Sequence, residues 1–504
     1  MTGREAPGVV EPPLRPTRGP LAGRYPAVAT MVVLALIPYL VLSAALGPLT
    51  RIITEQLHMN TEEVNLALGL ANAGYAMGTV LSVQLAQHLP QRRMLIIYAV
   101  VLVVGSILAA SANGPVMFIS GHVLQGLCTS LLLIAAVPPL VTGFPPSKLR
   151  ITAVILNLSI FGAVALGPLI GGVQADADAW RPLFWAIAGI AIIALVLVVL
   201  TFEDSPPADL TSTKSPVAVG LAAIGCVAAF FGASELLTRG TLEARTLGPL
   251  IGGVVVIMFL LVQQYFSKRP LLILRPLTTT MPVAGIVVAM SAAAASVSAV
   301  TLTSILLQER YSALKLGLLY LPEFGGAVIT AILFAYLFTT RALHYFALAG
   351  LLCLSAGIAI IAGAFPPSTI VTLIGTGLVG IGVGASVTPA LFIAGFSLRN
   401  AALQRVFAII ELLRAVAAFM IAPILVYIAA TVGSSATSGI RTALWIALGL
   451  SGGGTLVAIA LYVLGGVRPP TPSLERWFGG GSGWYSPPLF AAVRRNVTRD
   501  ESLE

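Results

Sequence analysis

Charged residues are scarce in this chain of 504 residues. Asp, Glu, Lys and Arg make up 9% of it, whereas soluble domains carry roughly 25%. Hydrophobic residues make up 57%, and the mean hydropathy is +0.97. This composition excludes a soluble globular fold and predicts an all-α protein that is embedded in a membrane.

Reactive side chains are equally few. The three cysteines, Cys128, Cys226 and Cys353, lie far apart in apolar segments and lack the spacing of metal ligands. No sequence cluster suggests a nucleophile with its base, and no loop is long enough to hold an enzyme domain. The formal dinucleotide fingerprint Gly375-x-Gly377-x-x-Gly380 lies inside an apolar run, where helix packing explains it better. We therefore expect no enzyme activity, no cofactor and no metal.

Long apolar runs are what the chain has instead. About 18 to 20 apolar residues suffice to cross the bilayer core as a helix. Fourteen runs reach this length: 27–49, 63–88, 93–111, 115–140, 150–174, 181–202, 215–237, 246–266, 277–307, 316–339, 343–364, 369–396, 406–430 and 441–466. The sequence therefore predicts fourteen transmembrane helices.

The basic residues test this count independently. With a cytoplasmic N-terminus, fourteen crossings put 20 of the 28 Lys and Arg residues on the inner face, 7 on the outer face and Arg414 within a span. This asymmetry follows the positive-inside rule. It predicts a bacterial inner-membrane protein with both termini in the cytoplasm. It also explains the net charge of +9 better than nucleic-acid binding does.

A segment rich in glycine and proline lies inside the fifth apolar run. It contains Gly162, Gly167, Pro168, Gly171 and Gly172. In water, the proline and the glycines would end a helix. In a membrane, neighbouring helices can approach the missing side chains, and the proline supplies a compliant point. We therefore interpret this segment as a hinge in a moving bundle.

The order of the runs predicts two comparable halves. We expect an N-terminal tail (1–26), a six-helix half (27–202), two inserted helices (203–276), a second six-helix half (277–466) and a C-terminal tail (467–504). Two extra crossings keep both halves in the same orientation, which fits parallel repeats about an axis normal to the membrane. The C-terminal tail carries Trp477 and Trp484 among prolines and glycines, so we expect it to lie against the inner leaflet or to be disordered.

Three segments carry a resemblance to a known family. They are the Gly162 to Gly172 run with the following Trp180-Arg181-Pro-Leu-Phe184, the pair Gln125-Gly126, and the turn from Leu85-Ala86 to Arg92-Arg93. Together they resemble the fourteen-helix drug/proton antiporter branch of the major facilitator superfamily, over roughly residues 27–466. The resemblance implies the major facilitator fold, alternating access and export of small molecules in exchange for protons.

The same segments depart from the family pattern where charge is expected. In the turn between the second and third spans, Gln87 replaces the family's aspartate, and Val83 and Pro90 replace its glycines. In the fourth span His122 aligns with the family's arginine, and the first span has no acidic residue. Proton antiport therefore does not follow from the resemblance and needs other titratable groups.

Ionisable residues inside the spans are the candidates for that coupling, because each costs about 2.5 to 3.5 kcal/mol on insertion scales. Glu323 lies about 10 Å along the tenth span and follows Pro322, where a helix break would place its carboxyl group in a cavity. Glu411 and Arg414 share a helix face, as a fixed or as a switchable ion pair. His122 is a candidate for proton relay or for packing.

Uncharged polar residues within the spans are candidates for the substrate cavity. Asn65 and Asn72 lie seven residues apart on one face of the second span, and Gln125 and Asn157 belong to the fourth and fifth spans. We expect these four to line the cavity or, equally well, to join helices by hydrogen bonds.

These observations favour a monomeric secondary transporter that exports amphiphilic small molecules and is driven by protons. A dedicated exporter of a lipid or a siderophore is a close alternative. In such a protein, the departures from the family pattern in the turn between the second and third spans would be less surprising. A membrane scaffold or sensor without transport activity is a third interpretation, which the missing family charges favour and Glu323 and the hinge segment oppose.

Overall fold

The computed structural model describes residues 19–203, 214–240 and 242–492. Outside the described residues lie most of the predicted N-terminal tail, part of the connection after the sixth span, Thr241 and the last twelve residues of the C-terminal tail. The α-helices are α1 (Tyr25–Leu57), α2 (Thr61–Ala86), α3 (Gln91–Ala110), α4 (Pro115–Thr142), α5 (Leu149–Asn157), α6 (Ala163–Asp176), α7 (Arg181–Thr201), α8 (Pro216–Arg239), α9 (Ala244–Phe266), α10 (Thr280–Leu307), α11 (Ala313–Leu337), α12 (Ala342–Gly363), α13 (Thr369–Phe396), α14 (Leu403–Thr431), α15 (Ala436–Leu464) and α16 (Leu474–Phe478).

Fourteen helical segments of the described chain are long and apolar enough to cross a bilayer, as predicted. The fifth segment is composite, because α5 and α6 are joined by a π-helical stretch at Leu158–Gly162. We call the side at which α1 begins and α15 ends the terminal face, and the other side the far face. The positive-inside rule predicts that the terminal face is cytoplasmic.

The first helix extends beyond its apolar run, which ends at residue 49. It continues to Leu57 because its polar residues satisfy one another along the helix. Arg51 and Glu55 form an exposed ion pair at 2.9 Å, and the hydroxyl of Thr50 donates to the carbonyl of Leu46 at 2.9 Å. Apolar length therefore underestimates a helix that continues outside the membrane.

The helix packing repeats between the two ends of the chain. In the first half α1 packs on α6, α2 on α4 and α3 on α7. In the second half α10 packs on α14, α11 on α13 and α12 on α15. Counted as spans, with α5 and α6 together as the fifth, each pair in the first half corresponds to the pair of spans eight positions later in the second half. This pattern is the one expected of parallel structural repeats.

Glycine pairs mark equivalent close contacts in the two halves. A Cβ atom at Gly121 would lie 2.7 Å from the carbonyl oxygen of Gly105, which brings α4 against α3. A Cβ atom at Gly357 would likewise lie 2.7 Å from the carbonyl oxygen of Gly375, between α12 and α13. Small residues permit such backbone approach in a membrane, where no hydrophobic effect drives helices together. Gly375 of the formal dinucleotide fingerprint therefore serves helix packing.

Arginines at equivalent positions bind the ends of neighbouring helices at the far face. Arg181, which begins α7, donates to the carbonyl oxygens of Ala110 and Ala112 at 3.0 and 2.8 Å. Arg441 in α15 donates to the carbonyl of Ala362 at 3.1 Å, at the end of α12. A cation is favourable at a helix C-terminus, where carbonyl groups lack partners. The Trp-Arg motif therefore joins two helices within its own half.

The inserted pair of helices covers one seam between the halves. Gly253 of α9 packs against the backbone of Ala229 in α8, so these two helices form a tight hairpin. Helix α8 then packs on α2 of the first half and on α14 of the second. Asn65 contributes to this contact, because its amide donates to the hydroxyl of Thr238 in α8 at 3.1 Å.

The described part of the C-terminal tail is ordered and packs on the bundle, which differs from the expectation of a disordered tail. Trp477 and Trp484 are only 1% and 3% exposed. Their indole nitrogens donate to the carbonyl of Leu398 at 3.1 Å and to the hydroxyl of Ser397 at 2.8 Å. Composition alone does not show that the loop after α13 offers acceptors for both indoles.

We expect the glycine contact between α3 and α4 to be sensitive to added volume. Gly121→Val should destabilise the protein by about 1 to 3 kcal/mol, because the backbone of Ala109 leaves no space for a side chain. Thermal unfolding in detergent measures this. Gly189→Val is the matched control, since no atom lies within 4 Å of a Cβ there. An equal loss in both variants would contradict the packing argument.

Candidate functional site

A buried ion pair lies on α14 in the middle of the protein. Glu411 and Arg414 are 3% and 7% exposed and are three residues apart, so they share a helix face as predicted. The Nε atom of Arg414 donates to one carboxylate oxygen of Glu411 at 2.9 Å, and a terminal guanidinium nitrogen donates to the other. A fork of two such bonds is the strongest geometry available to this pair.

A tyrosine of the first half completes this pair. The hydroxyl of Tyr75 in α2 donates to Glu411 at 2.6 Å, and Arg414 lies 3.4 Å from the same hydroxyl oxygen. The carboxylate of the second half therefore accepts a hydrogen bond from the first half, across the interface between them. Tyr75 was not among the candidates from the sequence, although its place in the middle of a span, away from the interfacial aromatic belts, was an available signal.

Polar and aromatic groups continue from Tyr75 into the first half. Its ring stacks on Tyr39 at a centroid distance of 5.7 Å, and the Tyr39 hydroxyl donates to the Asn72 carbonyl oxygen at 2.6 Å. The ring of His122 lies 5.5 Å from that of Tyr39. These ring contacts bring together helices α1, α2 and α4, and they are packing contacts rather than hydrogen bonds.

His122 and Gln125 form the end of this set. The Nδ1 atom of His122 lies 3.1 Å from the Gln125 carbonyl oxygen, so a hydrogen on Nδ1 satisfies both atoms. The Gln125 amide also donates to the hydroxyl of Ser106 in α3 at 3.2 Å. Within the described residues the second ring nitrogen of His122 has no partner. The histidine is completely buried between Tyr39 and Phe118.

A small cavity lies beside Glu411 between the halves. Its volume is about 20 Å³, and its walls come from α4, α5, α13 and α14 together with Ile160 of the π-helical stretch. Apart from Glu411 and Thr388, its lining is apolar: Leu133, Ile134, Val137, Leu156, Ile160, Leu391, Phe392 and Phe407. This volume holds about one water molecule. An organic molecule can enter only when the halves move apart.

Asn157 joins the halves beside that cavity. Its amide donates to the carbonyl of Gly384 at 3.1 Å, and the hydroxyl of Thr388 donates to its carbonyl oxygen at 3.3 Å. Both partners belong to α13, whereas Asn157 ends α5 and precedes the π-helical stretch. Such stretches interrupt regular helices and often occur at functional sites.

The Gly-Pro segment forms the far-face contact between the halves. Gly167 packs against α1 of its own half, where a Cβ atom would lie 2.7 Å from the carbonyl of Val41. Gly172 packs against Ala313 at the start of α11. A Cβ atom at Gly317 of α11 would lie 2.7 Å from the carbonyl oxygen of Pro168. Gly171 packs on Ala45, and Gly162 faces Phe324. The predicted close approach of neighbouring helices is thus present on two sides.

A side-chain contact joins the halves at the terminal face. With the Gln87 amide oriented so that its oxygen faces Arg405, that oxygen accepts from the guanidinium group at 2.9 and 3.3 Å. Gln87 occupies the position of the family's aspartate, so a neutral acceptor makes the contact here. Together with the far-face contact of α6 and α11, it holds the two halves against each other at both faces.

Glu323 lies apart from this network, on α11. The helix is continuous through Pro322, so the expected helix break is absent. By helical spacing Glu323 lies on the same face of α11 as the buried Tyr320 and Ala327, and its own exposure is intermediate. Among the described residues the structure gives it no hydrogen-bond or ion-pair partner.

The structure thus brings together most of the predicted site residues and separates two. Glu411, Arg414, Asn72, His122 and Gln125 belong to one contiguous set that Tyr39 and Tyr75 complete. Asn157 borders the same cavity region from α5. In contrast, Asn65 faces the inserted hairpin, and Glu323 lies on α11. The polar set lies at the interface of two related six-helix halves, which is the arrangement of a membrane transporter.

The chain belongs to the Major Facilitator Superfamily, whose profile matches residues 28–420. It is therefore a transporter-family protein and not an enzyme. It is 26% identical over 333 residues to a "multidrug resistance protein B homolog" of Mycobacterium tuberculosis, covering 64% of this chain and 59% of that protein. It is also 26% identical over 228 residues to the "tetracenomycin C resistance and export protein" of Streptomyces glaucescens, covering 44% and 41%. The chain spans 62% or less of the length of these curated relatives.

A solved structure supports the same fold. The human organic anion transporter MFSD10 superimposes with a TM-score of 0.61 at 13% identity, covering 86% of this chain and 99% of that one. At this identity the likeness shows the fold alone. It confirms the predicted major facilitator fold, to which this chain adds two inserted helices.

We expect the stability of the ion pair to depend on both partners together. Arg414→Met should destabilise the protein by about 3 to 5 kcal/mol, because it leaves the Glu411 carboxylate buried without its countercharge. Combining it with Glu411→Leu should recover most of that loss, since both charges are then removed. Thermal unfolding of the single and double variants measures the coupling. A double variant that loses the sum of both single effects would contradict a mutually compensating pair.

Proposed function

We propose that the protein is an exporter of amphiphilic small molecules that works by alternating access. The observation that carries this proposal is the hydrogen bond from Tyr75 of one half to Glu411 of the other. A contact of this kind exists only while the halves lie together at that depth. Separation of the halves removes the Tyr75 hydroxyl and leaves Glu411 with Arg414 alone, so the network responds to the movement that transport requires.

The lining of the small cavity beside Glu411 supports an amphiphilic substrate. Aliphatic and aromatic side chains form most of the walls, and one carboxylate lies among them. When the halves separate, these walls become a larger apolar surface with Glu411 exposed on it. A lipophilic molecule with a cationic group fits this chemistry, because the cation can replace Arg414 as the partner of the carboxylate.

The relatives support export rather than uptake. Two of them carry names that refer to multidrug resistance and to tetracenomycin C resistance and export. Only part of the length of each relative matches this chain, so the direction of transport and the substrates of this protein are proposals. We propose that the protein is a monomer in the bacterial cell membrane. The positive-inside rule predicts that the terminal face and both termini lie in the cytoplasm.

Two carboxyl groups at different depths support coupling to protons. Glu411 is eight residues from the start of α14 at the terminal face, or roughly 12 Å, and Glu323 is ten residues from the start of α11 at the far face, or roughly 15 Å. Proton uptake by Glu411 would remove the charge that holds Arg414 and free the guanidinium group. Among the described residues Glu323 has no hydrogen-bond or ion-pair partner, so no neighbouring cation holds its carboxyl group in the charged form. Together they would exchange protons with opposite sides of the membrane.

The Gly-Pro segment supplies the movement in this proposal. Gly172 and Pro168 lie against α11, so the far-face contact of the halves consists of closely packed backbones. The π-helical stretch interrupts the regular hydrogen bonding just before it. We propose that the fifth span bends here when the far face opens, while Asn157 releases α13.

Efflux of a fluorescent lipophilic cation tests this function. In cells that express the wild-type protein, we expect efflux that a protonophore abolishes. Glu411→Gln and Glu323→Gln should each lower efflux by about tenfold or more, because neither amide can bind and release a proton. Glu55→Gln is the matched control, since that carboxylate is exposed at the far end of α1 and should leave efflux unchanged.

The outcomes separate the competing interpretations. No efflux above the empty-vector level, from protein shown to be folded in the membrane, would exclude the multidrug function. Efflux that survives both substitutions would exclude proton coupling through these carboxyl groups. Competition by a lipid or a siderophore, but not by unrelated drugs, would instead support a dedicated exporter.

A further inference from the structure

The C-terminal tail forms an ordered strap across the terminal face of the second half. We call residues 473–490 the strap. It contains the short helix α16 and then runs back over the bundle, where the amide of Ser473 donates to the carbonyl of Gly483 at 2.8 Å. This bond closes the strap on itself, so its two tryptophans are held at fixed positions.

The strap binds the end of α13 and the loop between α13 and α14 through directed hydrogen bonds. The backbone amides of Gly483 and Trp484 donate to the carbonyl of Phe396 at 2.7 and 3.3 Å. The two indole nitrogens bind Ser397 and Leu398. The strap thus satisfies carbonyl groups at the end of α13 that have no partner within the helix.

The strap also binds the beginnings of two other helices. The amide of Thr280, the first residue of α10, donates to the carbonyl of Pro487 at 2.9 Å, and that of Met281 donates to the hydroxyl of Ser486 at 3.0 Å. The ring of Trp484 lies 4.8 Å from that of His344 at the start of α12. These contacts join α10, α12 and α13 of the second half.

The loop under the strap leads directly to the contact that closes the terminal face. It ends in α14, whose third residue, Arg405, is bound by Gln87 of the first half. Two turns further along the same helix lie Glu411 and Arg414. Contacts that fix the loop therefore also fix the start of α14. They fix with it the side chain of Arg405, which contacts the first half.

We propose that the strap stabilises the state in which the terminal face is closed, by fixing the α13–α14 loop and the beginning of α14. Release of the strap frees this loop, weakens the contact between Gln87 and Arg405, and favours opening of the halves at the terminal face. The proposal rests on alternating access as proposed above. Its test needs no substrate, so its failure can be distinguished from failure of the transport function.

Hydrogen exchange measures the first step. In the double variant Trp477→Ala, Trp484→Ala, we expect exchange of the amides of residues 397–405 to rise by about tenfold, because a local structure that loses its packing opens more often. Tyr485→Ala is the matched control, since this neighbouring aromatic residue is 74% exposed. Equal exchange in the double variant and in the control would overturn the proposal.

A distance measurement across the terminal face tests the second step. Spin labels at Arg93→Cys and Arg341→Cys, in a Cys353→Ser background, report the separation of the halves from exposed positions outside the strap. We expect the tryptophan variant to shift the population towards longer distances and Tyr485→Ala to match the parent. Faster exchange in the loop with an unchanged distance distribution would show that the strap acts only locally, which overturns the proposal.

A milder variant covers the case in which the double variant does not fold. Ser397→Ala removes the acceptor of the Trp484 indole, together with the hydroxyl's own hydrogen bond to the carbonyl of Ile393, and leaves all the aromatic packing in place. We expect a smaller change in the same direction in both measurements. Wild-type behaviour of this variant in both measurements, from protein that elutes as a single species, would also contradict the proposal.

Discussion

The lack of water in the hydrocarbon core of the membrane is the constraint on which this structure depends. Polar groups inside the bundle need partners from the protein itself, and no hydrophobic effect brings the helices together. The chain meets the first demand with arginines on helix ends and with paired side chains such as Glu411 and Arg414. Glycines take the place of the missing hydrophobic driving force, because they let helix backbones approach closely enough for extensive van der Waals contact.

The same constraint gives the central network its role in the proposed mechanism. A charged pair in this environment is stable only while both partners and their hydrogen bonds are present. Tyr75 belongs to the other half of the molecule, so relative movement of the halves changes the partners of Glu411 directly. Gln87 and Arg405 make a second contact of this kind near the terminal face. In the proposed mechanism, movement of the halves therefore changes the environment of an ionisable group directly.

Much of the candidate site could be predicted, because a charged residue within an apolar run stands out. Glu411 and Arg414 were found from their spacing, and their pairing is confirmed. Their partner Tyr75 was not found, because an uncharged aromatic residue in a span carries only a weak signal and its contact lies 336 positions away. Asn65 and Asn72 are seven residues apart and were predicted to share a helix face. Asn65 contacts the inserted hairpin, however, whereas Asn72 belongs to the central network. Sequence spacing gives the face of a helix but not its neighbour.

The fourteen spans could be read from the sequence, because apolar length and the asymmetry of basic residues reflect how each helix crosses the membrane. The family of folds followed from the resemblance of three short segments to a known family. The sequence also indicated where small residues permit close packing. Which helices meet depends on three-dimensional packing, and the structure therefore reveals the repeated arginine and glycine contacts that sequence identity does not show. The tertiary structure also decided the position of the strap, because Trp477 and Trp484 find their acceptors in a loop about 80 residues earlier in the chain. Such partners are set by three-dimensional packing, which no local pattern encodes.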